Sequence, residues 1–213
     1  MAVGEVLGKA HGLIADRSKA IASYVETWYR YQALWDIDMT HVSARLGNDL
    51  GQWQLLLAEV RRARLTFDVN ASSQAFGHAK VDFEQIQWKV SVKYDQWAKD
   101  LLSHFASIFQ ATCHSFLELL HQRRVTLERF APLDAMPLTD LVQSIVTLQE
   151  MTTASQGSDK TLDEMSKITK LLDRYKFNYP KEWLYFDQIE GEYHAVHSLL
   201  QHKNDALSQH WRT

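Results

Sequence analysis

The stretch VDFEQIQWKVSVKYDQWAKDLLSHFASIFQATCHSFLELLHQRRVTLERF, Val81 to Phe130, runs without a proline or glycine. Its apolar positions fall at Phe83, Ile86, Val90, Tyr94, Trp97, Leu101, Phe105 and Ile108, and resume at Phe116, Leu119 and Leu120. Steps of three, four and four residues are the spacing of one face of an α-helix. A helix over the whole stretch would be roughly 75 Å long at about 1.5 Å per residue. Most helical stability comes from packing an amphipathic face, so such an element needs partners of similar length. The rest of the chain is therefore read as those partners. The step pattern repeats every eleven residues, which keeps a helix nearly straight or slightly right-handed. That suits a strut among helices of its own chain better than a two-stranded coiled coil.

Upstream, residues 3–37 carry a helical stripe from Val6 and Leu7 through Leu13, Ile14, Ile21, Tyr24, Val25, Trp28, Tyr31 and Trp35, loosest around Gly4, Gly8 and Gly12. Gly4, Gly8 and Lys9 do not make a phosphate-binding loop: only three residues separate the glycines, and Ala10 stands where a magnesium-binding hydroxyl belongs. A second helix is predicted over 39–67, with Val42, Leu46, Leu50, Trp53, Leu56, Leu57 and Val60 on its apolar face and Asp38 or Thr40 as its N-cap. Residues 68–80 read as a loop. Ala131 to Pro137, bracketed by two prolines, is the clearest break in the chain. A fourth helix is predicted over 138–176, capped by Thr139 or preceded by Pro137, and continuous through the polar, Gly157-containing stretch 152–160. Pro180 biases Tyr179 out of the helical region, and a fifth helix is predicted over 181–209. Strand signals are absent. The expectation is an all-α fold, an elongated antiparallel bundle of about five long helices forming a single segment.

Composition narrows the function. With 46% apolar and 23% charged residues the chain is a folded one, and three prolines with eight glycines leave few places to turn. A net charge of −3 excludes a nucleic-acid footprint, and no apolar run reaches the ~20 residues of a membrane span. The lone Cys113 excludes an internal disulfide, fits a reducing compartment and reads as a small packing residue. Glu118 and His121 form one Glu-x-x-His pair, but a di-iron bundle needs two such pairs and two further glutamates. His194 and His197, with Glu190 a turn earlier, have zinc-compatible spacing but no thiolate and no third histidine in step. No nucleophile elbow, His-Glu-x-x-His helix or glycine-rich nucleotide loop occurs. No catalytic residue, cofactor or metal is predicted.

Two features suit a partner instead. Arg61, Arg62 and Arg64 fall in the last turns of the second helix, where cations suit the helix dipole. Of the seven tryptophans, most lie on apolar stripes and are read as core. Trp88, two residues from both Ile86 and Val90, lies off the stripe and is the candidate contact residue.

Several strings also resemble a known family. Arg30-Tyr31-Gln32-Ala33-Leu34-Trp35-Asp36, Leu46-Gly47-Asn48-Asp49-Leu50-Gly51-Gln52-Trp53, Thr66-Phe67-Asp68, Phe76-Gly77, Val81-Asp82-Phe83, Lys89-Val90 and Lys93-Tyr94-Asp95-Gln96-Trp97 are similar to the tail of cytoplasmic (type 1) dynein heavy chains. So are Tyr179-Pro180-Lys181-Glu182-Trp183-Leu184 and Ile189-Glu190-Gly191-Glu192, in the same order. The resemblance spans residues 24–205 and departs around 152–160 and in the first twenty residues. It implies a stem segment upstream of the linker and motor, built of helical bundles, working in the cytoplasm on the microtubule cytoskeleton. It further implies other heavy-chain segments, accessory chains, dynactin and cargo adaptors as partners, with ATP hydrolysis elsewhere in the motor.

Overall fold

The computed structural model describes residues 3–67, 69–130 and 137–210. In chain order they form α1 (Val3–Tyr29), α2 (Ala33–Asp36), α3 (Met39–Leu46), α4 (Leu50–Thr66), strands β1 (Ser73–Phe76) and β2 (Ala79–Asp82), and then α5 (Glu84–Glu128), α6 (Leu138–Arg174) and α7 (Phe186–His210). The fold is predominantly α, as the periodicity predicts. The chain divides into two compact units, Met1–Phe105 and Ala106–Thr213, and the 45-residue α5 supplies core residues to both.

In the first unit α4 and α5 run antiparallel, since Arg64 pairs with Asp95 while Trp53 packs on His104. Their core is Trp53, Leu57, Phe67, Phe83, Val90, Trp97, Leu101 and Phe105. Strands β1 and β2 pair as an antiparallel hairpin, and Phe83 N donates to the Ser72 carbonyl at 2.8 Å where the hairpin leads into α5. Trp28 of α1 packs against Phe83 and Phe67, and Tyr24 against Phe76 and Phe83, at ring separations of 5.1–6.3 Å, where edge-on and tilted aromatic pairs are favourable.

The second unit is an up-down-up three-helix bundle. Hydrogen bonds from Asn204 to Thr152 and from Tyr193 to Asp159 set α7 antiparallel to α6. Bonds from Arg124 to Glu192 and from Lys203 to the Phe130 carbonyl set α7 parallel to α5. The buried positions of α7, Ile189, Tyr193, Val196 and Leu200, keep steps of four, three and four. Helix α6 is continuous through 152–160. Most of this polar stretch is exposed, and it is anchored at Ser158, which is buried and whose hydroxyl accepts from Arg123 of α5 at 2.8 Å.

Four expected boundaries differ, each for a local reason. The helix predicted over 3–37 stops at Tyr29, where Tyr31 N to Trp28 O and Gln32 N to Tyr29 O tighten the backbone into three-residue turns. That turn brings the Trp28 and Tyr31 rings together onto Phe67. The helix predicted over 39–67 is interrupted at Gly47, whose φ of +54° suits glycine. Asp49 then restarts it by accepting from Gly51 N and Gln52 N at 2.9 and 3.2 Å, and Asp38 is the N-cap of α3.

The hairpin Ser73–Asp82 takes up most of the expected loop 68–80 and the first two positions of the helix expected from Val81, so the reading that strands are absent is corrected. Its two-residue turn is Gly77-His78, with φ +68° at Gly77. A positive φ at the first central residue is what a type II′ turn requires. The last helix starts at Phe186, not at 181, because Trp183 is buried against Phe109, Phe177 and Tyr179. Tyr185 N donates to Gln188 Oε1 at the helix entry. The break predicted at Ala131–Pro137 lies, except for Pro137, outside the described residues, as do Asp68 and Trp211.

Candidate partner-binding surface

Trp88 is 65% exposed, as its position off the stripe predicts. Trp35, read from sequence as a stripe residue, is corrected: it is 44% exposed. The two indoles belong to one groove of ≈ 220 Å³ lined by Trp35, Trp88, Lys89, Val92, Lys93 and Gln96. That volume is below the range of small-molecule sites and suits side chains of another polypeptide.

The groove is built by α2 lying on α5. The buried Trp97 donates its indole N–H to the Leu34 carbonyl at 2.7 Å, which fixes α2 and places the adjacent Trp35 beside α5. Lys93 extends over the Trp97 ring, 5.9 Å from its centroid. No carboxylate of the described residues lies within ion-pair distance of Lys89 or Lys93. The groove therefore offers two flat apolar rings between cations. Sequence reasoning found Trp88 but not Trp35, because the turn at 30–32 that turns Trp35 outward has no glycine or proline to announce it.

The three arginines at the end of α4 have different surroundings. Arg64 donates to Asp95 of α5 at 2.9 Å, an ion pair within the fold. Arg61 and Arg62 are exposed, and Arg61 has an interaction of its own.

The histidines singled out in the sequence are exposed and make contacts within the second unit. His121 Nδ1 lies 3.3 Å from Glu192, which also takes Arg124 at 3.0 Å. His197 stacks on Tyr193 and pairs with Ser155 at 3.4 Å. Among the described residues, no group of three or more His, Cys, Asp or Glu side chains could hold a metal ion. Burial pushes the Cys113 thiol up to about 12, the opposite of what a nucleophilic thiolate needs. Burial, followed by its bond to Asp159, likewise raises the Tyr193 hydroxyl. No described helix is long and apolar enough to cross a membrane.

Over nearly its whole length the chain is similar to a short stretch of several very long proteins. It is 33% identical over 203 residues to the cytoplasmic dynein heavy chain of Dictyostelium discoideum, covering 95% of this chain. It is 31% identical over 204 residues to that of Drosophila melanogaster, covering 96%, and 30% identical over 202 residues to that of Paramecium tetraurelia, covering 93%. The chain spans about 4% of the length of each of these relatives. No family model matches it.

Proposed function

Because the chain is homologous to a segment of the cytoplasmic dynein heavy chains, we propose that it serves as a non-catalytic structural segment of the heavy-chain tail. In this role its 213 residues work as one piece of the stem. They transmit force and contribute to assembly of a motor that moves cargo along microtubules in the cytoplasm. ATP hydrolysis belongs to other parts of the heavy chain, and association is with neighbouring heavy-chain segments.

The observation that supports this reading best is α5. One 45-residue helix supplies core residues to both compact units, so tension applied to one unit has a covalent, hydrogen-bonded path into the other. The test is Ser107→Pro in the intact motor. Ser107 is exposed on α5 beside the Phe105–Ala106 boundary, and an interior proline costs about 3 kcal/mol locally while leaving both cores their side chains. In an optical trap the stall force should fall while ATPase activity stays. An unchanged stall force would sink the proposal.

A second reading is supported by the Trp35–Trp88 groove: docking of an accessory chain, dynactin or a cargo adaptor. Exposed, rigidly held tryptophans are the residues that dominate binding energy at interfaces.

A further inference from the structure

Helix α1 has 27 residues and none is buried. It is nevertheless one-sided. At 100° per residue, Val3, Val6, Leu7, Leu13, Ile14, Ile21, Tyr24 and Trp28 all fall within an arc of roughly 120°. Glu5 and Lys9, paired at 3.2 Å, lie on the opposite side. At its C-terminal end the arc is occupied, because Tyr24 and Trp28 pack on Phe76, Phe83 and Phe67. Arg17 marks the limit of that contact, with its guanidinium against Gly77 at the hairpin tip. Beyond it the same arc continues uncovered, and Val3, Val6, Leu7, Leu13 and Ile14 are 53–76% exposed. Gly4, Gly8 and Gly12 lower the helix propensity of this half further.

We propose that the uncovered half of the stripe, Val3 to Ile14, is the docking face for an amphipathic helix of the same heavy chain from outside these 213 residues. This rests on the tail-segment reading above. Three observations select that occupant. The face continues an interface that already packs apolar side chains, so an added helix extends an existing layer. It carries no charge, so its partner presents an uncharged apolar stripe of the same three-four spacing. And the relatives are some twenty-five times longer than this chain, which matches 4% of them. A helix tethered in the same polypeptide therefore competes at an effective concentration that a second copy or a free subunit does not reach.

The test places p-benzoylphenylalanine at Leu7 in the intact heavy chain, with Lys9 as the opposite-face control. Light- and heavy-isotope motors are mixed before irradiation. The expected product joins Leu7 to a heavy-chain peptide outside this segment, of matching isotope, at ten-fold or more the yield from Lys9. Isotopically mixed products would assign the face to a second copy. Products with accessory chains, or yields equal to those from Lys9, would likewise overturn the proposal. In a second measurement, Leu7→Asp with Ile14→Asp should speed amide exchange across Val3–Ile14 at least ten-fold in the intact chain, leaving α5 unchanged; no change would count against docking. The stall force of the Ser107→Pro motor is independent of both. Same-chain crosslinking with an unchanged stall force would sink the stem reading alone, and a reduced stall force without same-chain crosslinking would sink only this docking.

Discussion

Cys113 offers a direct test of the packing of the second unit, because it is the chain's one cysteine and its thiol is buried. Thiols react as thiolates. An exposed thiol of pKa about 8.5 is roughly one quarter ionised at pH 8. With the thiol held at about 12, the thiolate fraction at pH 8 falls to about one in ten thousand. Ionisation alone should thus slow alkylation about two-thousand-fold, before any hindrance from the surrounding helices.

The assay is the rate of maleimide labelling at pH 8 in native buffer against the rate in concentrated guanidinium. A native rate within ten-fold of the denatured rate would refute the burial of Cys113 between α5 and its neighbours. The sign of the pH effect follows from the same shift. Above about pH 9 the unfolded thiol loses its proton while the folded one keeps it, so the unfolded state binds fewer protons. Stability is then lost as pH rises from about 9 toward 12. A Cys113→Ala variant should show less of that alkaline loss, measured as the denaturation midpoint between pH 9 and 11.

Two further substitutions test the local reasoning. Gly157 sits inside α6 with open space where a Cβ would go, so Gly157→Ala should stabilise by about 0.5–1 kcal/mol. Gly47, at φ +54°, should behave oppositely, Gly47→Ala costing on the order of 1–3 kcal/mol; both are read from denaturant midpoints, and a common sign would defeat the argument. Trp97→Phe removes the donor to the Leu34 carbonyl and should cost about 1–3 kcal/mol. It should also raise amide exchange in α2 and weaken capture of partner chains as much as Trp88→Ala does; a loss confined to stability would detach the groove from the core.

The sequence is most legible where periodicity is long. Glu84–Glu128 and Leu138–Arg174 fall within two or three residues of their expected ends, because many apolar positions spread over the whole length repeat one spacing. It is least legible where one side chain decides. Gly47 and Asp49 end one helix and cap the next within three residues. Both signals are written in the chain, yet the apolar steps run straight across them. The hairpin hides because its turn is Gly-His and its strands are four residues each, too short for alternation to register.

The exposed stripe of α1 shows the converse limit. A pattern of spacing says which residues share a face, but not whether anything lies against it. The candidate surface divides in the same way. Trp88 is legible as a ring out of step, while Trp35 is in step and still faces solvent, because the backbone turns between it and Trp28.

The bond from Trp97 to the Leu34 carbonyl makes the outer groove and the inner core parts of one equilibrium. A ligand seated on Trp35 and Trp88 binds only where α2 is held, and α2 is held only while Trp97 stays buried. Occupancy is therefore written into the melting curve of the first unit: a partner at one hundred times its dissociation constant would add about 2.7 kcal/mol to its stability. The groove reports its own saturation as heat resistance, so a partner can be sought without being labelled.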